Sequence, residues 1–220
     1  LAGRDLWRCW RSSFRPDVVS CPPIQEQLME QRIRQIIADS IALKQAVLED
    51  DAIIALSKEL AERCADCFRQ DGKLLWCGNG GSAADAQHLA AEFSGRFYYD
   101  RPPLYSEALH VNTSYLTAVG NDYGYEATYA RMVKAMGRKG DILIAMSTSG
   151  NSPNVLLAAE AAREQGMLVV GFTGEGGGKL AAHCDYLLAI PSRDTPRIQE
   201  CHMLIGHAIC ELVEAMIFPK

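Results

Sequence analysis

From residue 74 to residue 217, short apolar runs of strand length alternate with segments of helical periodicity. Strands separated by helices of about a dozen residues form βαβ units, in which parallel strands make a sheet covered by helices on both faces. We therefore predict an α/β fold, a three-layer sandwich with a central parallel sheet flanked by helices. The predicted strands are 74–77, 107–111, 142–146, 167–172 and 186–190, and the predicted helices are 82–95, two across 113–136, 153–165, a short one near 178–182, and 196–217.

Two more helices are predicted before the first strand. Residues 24–48 place isoleucines at helical spacing, which is typical of an amphipathic helix. Asp50 and Asp51 can cap a second helix, which would end near Gln70 because Asp71-Gly72 follows. The sequence thus indicates an N-terminal helical hairpin joined to the sandwich.

Residues 1–23 differ from the remainder of the chain. They hold two tryptophans and four arginines, and they lack the continuous apolar run of a secretory signal. We interpret 1–23 as a leader or extension outside the core, and 24–220 as a single domain.

Charge and composition restrict the partners of this chain. The 220 residues carry a formal net charge of −5 with an isoelectric point near 5.6, which argues against nucleic acid and anionic membrane surfaces. No apolar run is long enough to span a membrane. The eight cysteines lie mostly in apolar segments, and the Cys64-x-x-Cys67 pair has no second pair at zinc spacing, so we expect core packing in a cytoplasmic protein.

A glycine-rich turn follows the first predicted strand and leads directly into a helix. Asn79, Gly80 and Gly81 form the turn, and we expect Ser82 to be the N-cap. Such a junction presents backbone N–H groups and the positive end of a helix dipole, which together favour an anion. The alternative is a plain tight connection between a strand and a helix.

His88 and Glu92 lie four residues apart on the helix after this turn, so their side chains share one face. A solvated surface pair is the ordinary interpretation of this spacing. The neighbouring residues Leu89, Ala90 and Phe93 are apolar, however, which favours a cleft or an interface.

A second polar loop follows the strand predicted at 142–146. Residues 147–152 read STSGNS, with four hydroxyls, and Pro153 follows at a helix start. Capping alone needs one serine, so the remaining hydroxyls indicate a phosphate site. Ligands of open α/β sheets bind beyond the carboxyl ends of the strands, where both polar loops are expected.

Five segments in order carry a resemblance to a known family: CGNGGSAADAQHLAAEFSGRF, AVGNDYGYE, AMSTSGNSPNV, TGEGGGKLA and PSRDTPRIQECHMLIGHAICELVE. The chain resembles the sugar isomerase (SIS) family, and within it the phosphoheptose isomerases, over residues 28–217. The resemblance implies interconversion of sedoheptulose 7-phosphate and D-glycero-D-manno-heptose 7-phosphate through an enediol, the first step of bacterial ADP- or GDP-heptose synthesis. The final glycan, such as lipopolysaccharide, is left open.

The resemblance also implies roles for particular residues. Catalysis would fall to Glu92 and His207, because moving a carbonyl from C2 to C1 needs a base and an acid. Some members bind Zn²⁺, and the matching ligands are His88, Glu92, Gln199 and His207. The residues matching the substrate site are Asn79, Gly80, Gly81, Ser82, Asp85, Glu92, Asn121, Asp122, Ser147, Thr148, Ser149, Ser152 and Gln199.

The zinc ligand set raises a geometric difficulty. Gln199 and His207 lie eight residues apart on one predicted helix, which separates them by about 12 Å along its axis. Either Gln199 precedes the helix, or the two residues serve sites completed by different subunits. The family forms homotetramers with sites between subunits, which agrees with the second alternative.

A different class of function is implied by non-catalytic relatives. Some SIS proteins bind the replication initiator or sense a phosphosugar, and in the former the glutamate and the histidine are replaced. Glu92 and His207 are both present here, which favours the enzyme.

Overall fold

The computed structural model describes residues 26–220, so the prediction of a leader at 1–23 lies outside the described residues. Five strands form one sheet in the order β2-β1-β3-β4-β5, and every neighbouring pair is parallel. This confirms the predicted central parallel sheet. The strands are β1 Leu74–Gly78, β2 Ser106–Ala108, β3 Ile142–Ser147, β4 Leu168–Thr173 and β5 Tyr186–Ala189.

Seven α-helices accompany the strands in the described part of the chain. The predicted N-terminal helices are confirmed, and Asp50 caps the second by accepting hydrogen bonds from the N–H groups of Ala52 at 2.9 Å and Ile53 at 3.1 Å. Short 3₁₀ helices occupy Tyr125–Ala127 and Gly178–His183. The α-helices are α1 Glu26–Glu49, α2 Asp51–Arg69, α3 Gly81–Ser94, α4 Thr113–Tyr123, α5 Thr128–Met136, α6 Pro153–Glu164 and α7 Thr195–Ile217.

The chain forms two compact units that meet within α1. The first ends at Asp39 and, in its described part, consists of the beginning of α1. The second, from Ser40 to Lys220, contains the end of α1, the sheet and all other helices.

Each face of the sheet has its own buried core, because successive side chains of a strand point to opposite faces. In β1, Leu74 and Trp76 pack with α2, α3 and α7, whereas Leu75 and Cys77 pack with α5 and α6. The sheet is therefore buried on both sides, as the uninterrupted apolar strands predicted.

Two local predictions are wrong. The second strand ends at Ala108 instead of extending to residue 111. Ser82 is not the N-cap of α3: Gly80 occupies that position with a φ of 55°, a left-handed conformation open to glycine, and Ser82 lies buried inside the first turn.

The cysteines behave as core residues. Cys64 and Cys67 are buried free thiols, and burial raises the pKa of Cys67 to about 11, which disfavours the reactive thiolate.

Among the helices of residues 26–220, none is long and apolar enough to cross a membrane.

Candidate active site

The two polar loops lie side by side at the switch point of the sheet. The chain leaves β1 toward β2 on one side and later enters β3 on the other, so β1 and β3 are neighbours whose connections run in opposite directions. A crevice forms at such a point, beyond the carboxyl ends of the two strands. The loops 79–81 and 148–152 both begin there, as the sequence predicted.

A network of side-chain amides joins these loops. Asn79, after β1, and Asn154, in the first turn of α6, exchange two hydrogen bonds of 2.9 Å between their amide groups. The Tyr125 hydroxyl donates to Asn79 Oδ1 at 2.9 Å, and the Tyr129 hydroxyl donates to the carbonyl oxygen of Gly78. The sequence analysis assigned no role to Asn154, Tyr125 or Tyr129, although Tyr125 and Asn154 lie within the segments AVGNDYGYE and AMSTSGNSPNV.

The loop after β3 presents hydroxyls at the N-terminus of α6. Ser152 stands at the N-cap position but makes no capping bond; its Oγ lies 3.0 Å from Ser147 Oγ. Pro153 has no N–H, and the N–H of Val155 bonds to Asn154 Oδ1 at 3.1 Å, so within the first turn of α6 the backbone offers an anion at most the N–H of Asn154. Ser147 is buried, whereas Ser149 is exposed.

A cavity of about 470 Å³ adjoins this loop. It is lined by Thr148, Ser149, Asn151, Glu175, Gly176, Gly178, Ser192, Arg193 and Thr195. Gly150 allows the two glycine-containing loops to touch. Its φ is 65°, and a Cβ there would lie 1.9 Å from the carbonyl oxygen of Gly177. A side chain at this position would force the loops apart.

The side chains of His88, Glu92 and His207 meet between α3 and α7. His88 Nε2 lies 3.0 Å from Glu92 Oε1, and His207 Nε2 lies 3.4 Å from His88 Nε2. The two imidazole rings meet edge to face with centroids 5.0 Å apart. The structure therefore brings together the predicted catalytic pair and a third predicted zinc ligand.

These three residues fit a zinc ion. One ligand atom from each lies within 4.8 Å of the other two, so an ion placed among them would be within reach of all three. Two imidazole nitrogens and one carboxylate oxygen match the three protein ligands of catalytic zinc sites, which leave a position open.

Gln199 lies elsewhere on α7. Its amide packs against Gly81, where a Cβ would come within 2.6 Å of Nε2, and Nε2 lies 3.5 Å from Ser82 Oγ. Because α7 begins at Thr195, the alternative that Gln199 precedes the helix is wrong. Within one chain, Gln199 therefore belongs to the glycine loop and His207 to the zinc-type cluster.

Asp85, Asn121 and Asp122 complete the predicted set. Asp85 is half-buried and its Oδ2 has no hydrogen-bond partner; burial raises its pKa to about 6, an effect that the nearby His88 opposes. Asn121 donates a 2.8 Å hydrogen bond to Asp122 at the exposed end of α4. No described hydrogen bond joins Asn121 or Asp122 to the other predicted site residues.

Three histidines outside the predicted set, His110, His183 and His202, differ in how their side chains are paired. His183 pairs with Glu160 at 3.7 Å, but the buried Nδ1 atoms of His110 and His202 have no hydrogen-bond partner.

The fold and the site define a class of protein. The family model described as "SIS domain" matches residues 37–174, and the chain belongs to that family. Within it, the chain belongs with the phosphoheptose isomerases.

The similarity to individual phosphoheptose isomerases extends over nearly the whole length of each. The protein from Burkholderia pseudomallei (strain 1710b) is 52% identical over 196 residues, covering 87% of this chain and all of that one. The protein from Aneurinibacillus thermoaerophilus is 50% identical over 190 residues, covering 86% and 96%. The solved structure from Neisseria gonorrhoeae has a TM-score of 0.80 at 44% identity, covering 85% of this chain and 99% of that one.

Proposed function

We propose that this chain is an aldose–ketose isomerase that interconverts sedoheptulose 7-phosphate and D-glycero-D-manno-heptose 7-phosphate in heptose biosynthesis. The meeting of His88, Glu92 and His207 carries the proposal, since it supplies an acid and a base at one point. Relatives named phosphoheptose isomerase at 50–52% identity support the substrate. The presence of both Glu92 and His207 also argues against the non-catalytic alternative.

The acid–base steps can be assigned to atoms. Glu92 takes a proton from C1 of the ketose while His207 gives one to the C2 oxygen, which yields an enediol. Glu92 then returns its proton to C2 while His207 takes the proton of the C1 oxygen, which completes the aldose and restores both residues. Their separation on two helices lets one act on carbon and the other on oxygen.

The phosphate is assigned to the loops at the switch point. Ser82, Ser147, Thr148, Ser149 and Ser152 supply hydroxyls, and the N-terminus of α6 supplies the positive end of a helix dipole. Six residues separate Ser82 from His88 along α3, about 9 Å of helix, and the substrate carries its phosphate at the opposite end from C1 and C2. Two separated subsites suit that substrate.

Zinc is proposed as the cofactor. His88, Glu92 and His207 would hold the ion. Bound zinc would occupy the ring nitrogen that otherwise carries the His207 proton, and it would replace that proton by polarising the substrate oxygens as a Lewis acid. Gln199 would join as a fourth ligand only from another copy of the chain, because on α7 it lies about 12 Å from His207.

We propose a homotetramer, which is supported by the need for Gln199 from another copy and by exposed apolar surface. Leu28, Ile33 and Ile37 on the first part of α1 are each more than half exposed, as are Ile41 and Leu48 in its second part. On α7, Leu204 is 47% and Leu212 is 40% exposed, although Ile205, Ile209 and Val213 are buried. Surfaces of this kind favour association, and closed symmetry makes a dimer of dimers a simple result.

Mixing inactive chains tests the shared site. Glu92→Gln and Gln199→Ala chains should regain part of the activity when refolded together, because a mixed assembly contains sites with both native residues. Glu92→Gln mixed with His207→Ala should regain none, because those residues meet within one chain. A fully active monomer by light scattering would refute the shared site.

A cytoplasmic location accompanies the proposal. The six described cysteines are free thiols, and five of them are buried in the core, which suits a reducing compartment.

The function is tested by assaying the isomerisation of sedoheptulose 7-phosphate before and after chelation, with zinc restored afterwards. We expect turnover of the phosphate ester, little turnover of sedoheptulose itself, and recovery with zinc. Equal rates on the two sugars would overturn the proposed phosphate subsite. No turnover of either sugar would overturn the proposal that the chain is an isomerase.

A further inference from the structure

A buried ion pair that has no part in the proposed chemistry connects the end of α3 with α7. These two helices carry His88, Glu92 and His207. Arg101 follows α3, and its Nε donates to Glu214 Oε1 on α7 at 3.0 Å. Both side chains are almost fully enclosed, at 2% and 1% exposure. Two charges this deep are costly unless their remaining hydrogen bonds are satisfied.

The Arg101 guanidinium holds the C-terminal end of α3. Nη2 donates to the carbonyl oxygen of Glu92 at 2.8 Å, and Nη1 donates to that of Phe93 at 2.7 Å and to that of Gly95 at 3.1 Å. The last carbonyls of a helix lack partners within the helix, and a cation there also complements the helix dipole. Arg101 therefore fixes the backbone of Glu92 itself.

The Glu214 carboxylate holds the chain that leaves α3. It accepts hydrogen bonds from the N–H of Phe97 at 2.9 Å and from the N–H of Tyr98 at 2.8 Å. The Phe97 ring in turn lies against His207, with centroids 5.8 Å apart. Glu214 is two helical turns beyond His207 on α7, so the pair ties the end of α3 to the His207 helix.

A second fixed point lies on the other side of His207. At Gly206 the two helices approach so closely that a Cβ would come within 2.5 Å of the Leu89 side chain. His207 thus sits between a close helix contact and a buried ion pair.

We propose that the Arg101–Glu214 ion pair is a positioning device that sets the spacing between His207 and the His88–Glu92 pair. Among the described hydrogen bonds, none joins the pair to the side chain of His88, Glu92 or His207, and the pair acts through the backbone of Glu92 and the ring of Phe97. The proposal rests on the proposed function, because it assigns this spacing to acid–base catalysis and zinc binding.

The test compares Arg101→Lys with Arg63→Lys. The first keeps the buried charge but loses the planar fork that reaches several acceptors at once. The second makes the same change in an exposed pair with Glu59 on α2, remote from the cluster. Val169→Ala, a cavity in β4 on the opposite face of the sheet, serves as a control for lost stability alone.

Two readouts separate positioning from mere structural support. Zinc affinity, measured by titration of the chelated protein without substrate, should fall at least about tenfold in Arg101→Lys, the scale seen for residues that orient metal ligands. The kcat should fall by at least about tenfold while KM stays within about twofold, because the phosphate loops are untouched. Neither control should show this pattern.

Zinc affinity and kcat in Arg101→Lys that match those of the controls would overturn the proposal. Should Arg101→Lys prove insoluble, Glu214→Gln keeps the side-chain size and one acceptor oxygen, and it faces the same two outcomes. A native chain without isomerase activity would overturn the proposed function and leave the zinc titration to decide the positioning role.

Discussion

The loops at the switch point and the His88–Glu92–His207 cluster are built in different ways. The loops are held by backbone conformation, as at the left-handed Gly150, and by the Asn79–Asn154 amide pair that joins one loop to the other. The cluster consists of side chains from two helices that are far apart in sequence. The phosphate is unchanged by the reaction, so rigid loops suit its binding. Acid–base chemistry depends instead on how α3 and α7 pack.

The largest effect is expected in the cluster. Glu92→Gln and His207→Ala should each lower kcat at least about a hundredfold, the usual scale for general acid–base groups. The KM should change far less, because the phosphate is held by the loops. Steady-state kinetics on the purified variants measures both, with His183→Gln as a control in an exposed pair. A near-native kcat in either variant would contradict the assignment of acid–base catalysis to the cluster.

The loops should show the opposite kinetic pattern. Ser149→Ala or Ser152→Ala removes one hydrogen bond to a charged group, worth about 1.5–3 kcal/mol, so KM should rise about tenfold or more. The kcat should change little. Inorganic phosphate should compete with substrate in the native protein, and more weakly in the variants. A drop in kcat at constant KM would place these hydroxyls at the reacting carbons instead.

His202 connects the two regions, since it lies on α7 between Gln199 and His207 and bonds to the carbonyl oxygen of Thr173 at 3.0 Å. Burial lowers the pKa of His202 from 6.5 to about 4, because the charged imidazolium would be desolvated. Between those pH values the unfolded chain binds more protons, so stability rises with pH and is lost as the pH falls from 6.5 toward 4.

The loss attributable to His202 should reach about 3 kcal/mol at the acid end. Urea unfolding of the native protein and of His202→Gln, each at several pH values, isolates it as a difference. Parallel pH dependence of the two proteins would contradict the burial of a neutral imidazole.

A change at Tyr125 tests the amide network, with a smaller expected effect on KM. Tyr125→Phe removes only the hydroxyl that donates to Asn79 Oδ1, at a cost of about 1 kcal/mol. We expect a several-fold rise in KM and an unchanged kcat, measured beside Tyr98→Phe as a control. An unchanged KM would show that the Asn79–Asn154 pair holds the loop without Tyr125.

Deleting residues 1–22 should have the smallest effect, because the predicted α/β core begins at residue 24. Activity and melting temperature of the shortened chain should match those of the full chain. Loss of folded protein would show that Trp7 or Trp10 packs against the remainder.

The sequence predicted the sheet and both loops because each depends on local pattern: apolar strands, glycines and a run of hydroxyls before Pro153. It failed at Ser82, since Ser82 and Gly80 both qualify as N-caps and only the φ of 55° at Gly80 decides between them. Asn154, Tyr125 and the Arg101–Glu214 pair have no local signal, because their partners lie 46 to 113 residues away. Within the cluster, the spacing of four residues singled out His88 and Glu92, whereas His207 was reached only through the family resemblance.

Incorporation of solvent deuterium reports on proton transfer at Glu92. In D₂O the native protein should place deuterium at C2 of the aldose product, detected by NMR, because the proton carried by Glu92 exchanges with solvent. The Glu92→Gln variant should lose that incorporation together with turnover. Undiminished deuterium incorporation by Glu92→Gln would contradict the account.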